Sequence, residues 1–293
     1  MSNRDEVKAF LTSRRAKVTP EQVGLSMVNR GRRVPGLRRS EVADLAGVSV
    51  EYYAQLERGN LAGVSESVLD ALSRALRLDE AERCHLLDLA AAAGPGRARR
   101  RKPIAAQVRP TVQRLLDLMP AVPAIINNAY LDTVAANDLG RALFAPVFDS
   151  SVRLHGGPVN HARFTFLDAR AQDFWTDWER AADDAVASLR VEAGRNPYDK
   201  NLSGLVGELS TRSEAFRRRW AAHDVRLHQL GTKHFRHPAV GEMHLNFEVL
   251  ELPADPGLLL VTFTAPAGSP DADALALLAT WAATQNPSEL PRQ

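Results

Sequence analysis

Residues 38–59, RRSEVADLAGVSVEYYAQLERG, constrain the fold of this chain more than any other stretch, because they encode two short amphipathic segments separated by one sharp turn. In the first, Ser40–Ala46, the side chains of Val42, Leu45 and Ala46 share a face at helical spacing, and Ser40 is placed to cap the start. Gly47 supplies the backbone freedom for the turn, Val48 fills the angle between the helices, and the Ser49 hydroxyl caps the second helix. That helix runs from Val50 to Arg58 and stops at Gly59. Tyr53 and Leu56 point inward, which leaves Val50, Glu51, Tyr52 and Gln55 on the outer face of its first turns. This layout is a helix-turn-helix, and those outward residues are the ones it carries to base edges in a major groove.

The charge distribution suits double-stranded DNA as a partner. The net charge is only +2, yet residues 1–102 hold 19 Lys and Arg against 13 Asp and Glu, a net of +6, while residues 103–293 hold 18 against 22, a net of −4. A basic surplus confined to one half attracts phosphate and makes binding sensitive to salt. Arg32 and Arg33, with Arg30, lie in a long stretch between Arg15 and Arg38. Residues 97–102 add five positive charges before Pro103, a composition that reads as a linker or as a mobile basic arm.

A length of 293 residues implies two hydrophobic cores. The expected order is a helix-turn-helix domain over 1–94, a basic linker over 95–103, a second domain over 104–285 and a tail over 286–293. Further helices of the first domain are expected at Asp5–Arg15, with Val7, Phe10 and Leu11 inward, at Ser65–Leu76, and at Asp79–Ala92, which opens with Asp79 and Glu82 in a capping arrangement. The single cysteine, Cys84, rules out an intramolecular disulfide and is expected as a small buried helix residue. The chain has no run of about 18 apolar residues and no apolar signal core at its charged N-terminus, so a cytoplasmic protein without membrane contact is expected.

The second domain has a different texture. A helix at Thr111–Met119 precedes two short strands, AIINN and LDTVAAN, and a helix near Asp138–Phe144. Phe164–Leu167 is an apolar run that leads into a long helix with Phe174, Trp178, Ala185 and Leu189 on one face. Helices at Asn201–Ser210 and at Ser213–Ala222, the latter capped by Ser213, come next. Three strands, Val225–Phe235, Gly241–Leu252 and Leu258–Ala265, and a closing helix at Pro270–Thr284 complete an α+β pattern in which LLLVTF reads as fully buried.

The segment LAGVSVEYYAQLERG resembles the helix-turn-helix of the phage-repressor or XRE family, an all-α, lambda-repressor-like fold. Its flanks, SRRAKVTPEQVGL and GRRVPGLRRSEVADLAGVS, resemble the MmyB-like branch of actinobacterial regulators. The resemblance implies that Arg39 lies at a phosphate, that Val50, Glu51, Tyr52 and Gln55 approach bases, and that Arg15 and Glu57 form a structural ion pair; Arg38, Ser49, Arg32 and Arg33 are further candidates for DNA contact. In the second half, ARFTFLDARAQDFWTDWE, LVGELSTRSEAFRRRWAAHDVR and GTKHFRHPAVGEMHLNFEVLEL are similar to the MmyB-like ligand-binding domain, which implies a PAS-like fold holding a small hydrophobic molecule such as a fatty acid. A repressor acting as a homodimer is the function so implied. A constitutive regulator whose second domain only dimerises is the alternative.

Aromatic surface for such a pocket is available from Phe164, Phe166, Phe174, Trp175, Trp178, Phe216 and Trp220, and an anionic head could be met by Arg163, Arg217, His223 or Lys233. Five histidines, His223, His228, His234, His237 and His244, raise the question of a metal. They lack acidic or thiolate partners at a familiar interval, so pairing with carboxylates such as Asp224 is expected, with no metal and no cofactor. GxSxG, HExxH, the Walker sequence and GxGxxG after a strand are all absent, so no enzyme is expected.

Overall fold

The computed structural model describes residues 3–25, 35–94, 108–153, 156–222 and 230–285. Its described residues group by contact into two units, one drawn from 1–100, 190–207 and 218–227, the other from 101–189, 208–217 and 228–293. Among them no helix is long and apolar enough to cross a membrane.

The first unit is built on α1 (Asn3–Lys17), α2 (Arg39–Ala46), α3 (Val50–Glu57), α4 (Glu66–Ala75) and α5 (Glu80–Ala93). Val7, Phe10 and Leu11 of α1 meet Val42, Tyr53, Leu56, Leu72 and Leu86 in one apolar core. Helix starts are set by side chains that satisfy orphan N–H groups: Ser49 Oγ accepts from Tyr52 N at 3.1 Å, Ser65 Oγ from Val68 N at 3.4 Å, and Asp79 and Glu82 cap each other reciprocally at 2.8 and 3.0 Å. Ser40 does not cap α2. The helix begins one residue earlier, and the Glu41 carboxylate reaches back to the Arg38 N–H at 2.6 Å. The buried stripe of α2 is Val42, Ala43 and Ala46, and Leu45, expected inward, lies on its flank with part of its surface exposed.

Gly47 takes the left-handed conformation the sharp turn requires, at φ 66°. Gly59 does more than stop α3: its φ is 99°, and a Cβ there would lie 2.6 Å from the Arg4 carbonyl oxygen, so only glycine lets the chain pass the start of α1. Cys84 is half-buried rather than fully buried, with its thiol 3.6 Å from Glu80 Oε1 and pushed up in pKa by desolvation first and by Glu80 second.

Three helices from further along the chain are α11 (Trp178–Arg195), α12 (Lys200–Arg212) and α13 (Glu214–Ala222). Their residues 190–207 and 218–222 belong to the first unit. Gly194 passes so close to α5 that a Cβ there would lie 2.5 Å from His85 Cε1. Nearby, Arg190 and Glu6 form an ion pair at 0% and 3% side-chain exposure, and the guanidinium carbon sits 4.0 Å from the centre of the Trp220 ring.

The second unit contains a six-stranded antiparallel sheet in the order β3-β2-β1-β6-β5-β4. Its strands are β1 (Ala124–Asn128), β2 (Asp132–Ala136), β3 (Val159–Asn160), β4 (Leu230–His237), β5 (Gly241–Glu251) and β6 (Leu258–Thr264). The edge strand β3 was not expected, because two residues carry no periodic signal. A register shift between Ile126 and Asn127 turns Asn127 to face Thr133.

Leu258 and Leu260 of β6 pack with Val112 and Leu116 of α6 (Pro110–Asp117), whereas Phe263 joins a larger aromatic cluster on the opposite face. Leu259, Val261 and Thr262 are only half-buried, so the strand is not sealed along its whole length as expected. Helices α7 (Asp138–Leu143), α8 (Ala145–Phe148), α9 (His161–Leu167), α10 (Ala171–Phe174) and α14 (Pro270–Gln285) complete the unit. The apolar run Phe164–Leu167 is the end of α9, capped by Asn160. Phe174 lies outside the long helix, since the chain breaks after α10 to bridge Trp175 to Phe235 of β4 before α11 begins at Trp178.

Candidate functional sites

The outward face of α3 is assembled from the turn. Ser49 fixes the helix start, Tyr53 and Leu56 anchor it in the core, and Val50, Glu51, Tyr52 and Gln55 stand exposed beside one another. Beneath them, Glu57 is 2% exposed and binds two guanidinium groups: Arg15 Nε donates to Oε1 at 2.6 Å and Arg39 Nε donates to Oε2. Arg15 also donates to the Leu37 carbonyl at 2.9 Å. The Arg15–Glu57 pair expected from the sequence is therefore present, and Arg39 shares its carboxylate. Arg39 remains 57% exposed, and the hydrogen bond to Glu57 together with that carboxylate's charge raises its pKa, so it presents a fixed positive charge at the start of α2. Arg38 is half-buried at the N-cap. Arg30, Arg32, Arg33 and the basic stretch 97–102 lie outside the described residues.

In the second unit, one face of the sheet carries a layer of aromatic rings with a few polar groups set among them. Phe144 packs against Phe174, Trp175, Phe235 and Phe263 at centroid distances of 6.3, 6.4, 5.8 and 5.3 Å. Lys233 of β4 places its ammonium 5.8 Å from the Trp175 ring centre and 5.4 Å from that of Phe247, and donates to Asp184 of α11 at 2.8 Å. Thr133 Oγ1 donates to Asn127 Oδ1 at 2.8 Å, so its contact with His161 Nε2 at 2.8 Å requires the imidazole to be the donor. His161 therefore carries a proton on Nε2. Burial, and after it the positive charge of Lys233, lowers its pKa to about 4.

That shift has a measurable consequence. Between the unfolded value of 6.5 and the folded value of about 4 the unfolded chain binds more protons, so stability is full above pH 6.5 and is lost as the pH falls through this window. The loss attributable to His161 is expected to reach about 2 to 3 kcal/mol. Denaturant titrations at pH 7 and pH 4 on the parent and on His161→Gln test it, and an unchanged pH slope in the variant would exclude His161 as the source.

The residues expected to line a pocket divide into separate groups. Phe166 contacts Trp178 and Phe216 at 6.1 and 5.0 Å, the Trp178 indole donates to the Thr165 carbonyl at 2.9 Å, and Arg163 pairs with Glu208 at 2.9 Å. Arg217 reaches the Ser210 carbonyl at 3.4 Å. Lys233 belongs instead to the layer around Trp175, Trp220 is in the first unit against Arg190, and His223 lies outside the described residues, as do His228 and Asp224. His234 and His244 face each other across β4 and β5 at 4.6 Å, with His244 Nδ1 3.9 Å from Asp271. Among the described residues no three metal-ligating side chains cluster. Reading the sequence missed His161 and Asp184: the first is marked only by the Asn160 cap before it, and the second is one of several acidic residues on α11.

Comparison with known families agrees with this division of labour. The model for a helix-turn-helix domain matches residues 9–86, and the model for the MmyB-like transcription regulator ligand binding domain matches residues 108–278. No curated protein matches the chain. With more than half of its length in that second match, and a DNA-reading helix pair ahead of it, the chain belongs to the MmyB-like transcription regulators, DNA-binding proteins with a ligand-binding domain.

Proposed function

We propose that this protein is a cytoplasmic repressor that binds its operator as a homodimer and that a fatty-acid-like molecule in the second unit, a PAS-like domain, controls operator affinity. The observation that carries the reading is the exposed row Val50, Glu51, Tyr52 and Gln55 on a helix locked from below by Tyr53, Leu56 and Glu57. One such helix touches too few base pairs for strong selection, and two-fold pairing on a pseudo-palindrome doubles the contacts. The PAS-like assignment is supported by a single antiparallel sheet with helices inserted between β2 and β4. The apolar ligand class is supported by the aromatic layer on one face of that sheet. A ligand that distinguishes the DNA-competent state from the incompetent one by about 1 to 3 kcal/mol would shift operator affinity about 5- to 150-fold.

The test is selection of an operator from random DNA, followed by anisotropy titration with and without myristic acid. Affinity unchanged by bound ligand would leave a constitutive regulator whose second unit only dimerises. On the same operator, Gln55→Ala and Tyr52→Ala are each expected to cost about 1 to 3 kcal/mol at one or two base positions. Substitution at Gln55 that alters neither affinity nor preference would move the reading surface elsewhere.

A further inference from the structure

We propose that the cleft between α4 and α5 of the first unit binds a compact phosphorylated anion, at a site outside the ligand-binding domain and apart from the DNA-reading row. The cleft has a volume of about 580 Å³ and is lined by Asp70, Ser73, Arg74, Arg77, Leu78 and Arg83. A volume of this size lies in the range of small-molecule sites. Three of the six side chains are guanidinium groups and one is a carboxylate, a surplus of two positive charges. The lining shares no residue with α3 or with the start of α2.

Most of that charge is left unmatched by the fold. Arg83 is held by Asp70, donating from Nε at 3.2 Å and from Nη2 at 2.9 Å to the same Oδ1, with Glu80 3.8 Å away. Arg74 has no hydrogen-bond or ion-pair partner among the described residues, and there Arg77 donates only to the Gln22 carbonyl, at 2.8 Å. Arg77 also sits where an arginine is disfavoured. It closes α4 at φ 50°, in the left-handed region that Gly47 takes at φ 66° to close α2. The Leu78 N–H returns to the Ser73 carbonyl at 2.9 Å, a closure that favours glycine at the residue before it. The dipole of α4 accounts for a cation at its C-terminal end but not for the convergence of three, one of them from α5. Guanidinium forks match phosphate oxygens two at a time. Leu78 is the one apolar residue of the lining, so a ligand with a large apolar body finds no wall here. The cleft therefore selects a small polar molecule that carries phosphate, such as a sugar phosphate or a pyrophosphate.

Calorimetric titration of the full-length protein with inorganic pyrophosphate, at constant ionic strength and without DNA, tests the site. One pyrophosphate per chain is expected. Arg74→Gln should weaken it about tenfold, the strength of one charge-assisted hydrogen bond. Arg77→Gly removes a guanidinium and puts glycine where the backbone favours it, so affinity should fall by a similar factor while the melting temperature holds. Asp70→Asn removes the carboxylate that opposes the anion and frees Arg83, and it should tighten binding several-fold, which a purely structural Asp70 would not do. No binding by the parent, or an affinity that neither Arg74→Gln nor Arg77→Gly lowers, overturns the proposal. So does a reduced salt dependence of DNA binding in Arg74→Gln, which would make the cleft a contact for the DNA backbone.

Discussion

The Arg190→Met variant is expected to lose about 3 to 5 kcal/mol of stability in the first unit, the cost of withdrawing one partner from a fully buried ion pair. The side chain has no exposed surface, and the Glu6 carboxylate it binds is 3% exposed, so water cannot reach either charge in the folded state. The guanidinium also covers the Trp220 ring and donates to the Trp220 carbonyl. Methionine keeps most of the volume and none of the charge. A buried carboxylate that has lost its cation must either take up a proton or pull its helix open, and both routes weaken α1, whose Val7, Phe10 and Leu11 are central to the core under the helix-turn-helix. Glu6→Gln should cost a comparable amount. The double variant Glu6→Leu with Arg190→Met should recover most of the loss, because two apolar groups of similar size carry no desolvation penalty. Urea denaturation followed by tryptophan fluorescence reads the outcome directly, and a single-variant loss below about 1 kcal/mol would mean the pair is not sealed from solvent in solution.

That pair also shows where sequence reading stops. The helix-turn-helix is legible because its signals are local: Gly47 for a left-handed turn, Ser49 for a cap, Tyr53 and Leu56 at helical spacing. The alternation in MHLNFEVLEL likewise marks β5, which buries Met243, Leu245 and Phe247. Arg190 and Glu6 are 184 positions apart, and nothing in the periodicity of either helix says which charge will cover the other. The same limit applies within the second unit. Trp175 falls inside the long helix expected from Phe174 to Leu189, yet its backbone pairs with the edge of β4 and its side chain enters the layer around Lys233. His161 gains its role only through the bulge after Ile126, which brings Asn127 and Thr133 together beneath it. Capping at Ser40 fails for a local reason, since Glu41 reaches the Arg38 N–H and moves the start of α2 by one residue.

Glu57→Ala is expected to cost about 2 to 4 kcal/mol and to weaken binding to every DNA sequence. Its carboxylate is the one acceptor shared by Arg15 of α1 and Arg39 of α2, so three helices meet at a single side chain. The estimate sits below that for a sealed pair because Arg39 is more than half exposed and can turn to water, while Arg15 keeps its hydrogen bond to the Leu37 carbonyl. Arg39→Ala separates the structural from the electrostatic contribution. Losing an exposed partner should cost about 1 kcal/mol of stability or less, yet remove one positive charge from the start of α2 and reduce the salt dependence of DNA binding by about one counterion. Thermal denaturation and anisotropy at several salt concentrations, run on both variants, give the two readouts. If Glu57→Ala weakens DNA binding with an unchanged salt slope while Arg39→Ala lowers that slope, then Glu57 acts by holding α3 in place and Arg39 by meeting phosphate. An unchanged slope in Arg39→Ala would confine Arg39 to the ion pair and pass the phosphate role to other arginines of the basic half.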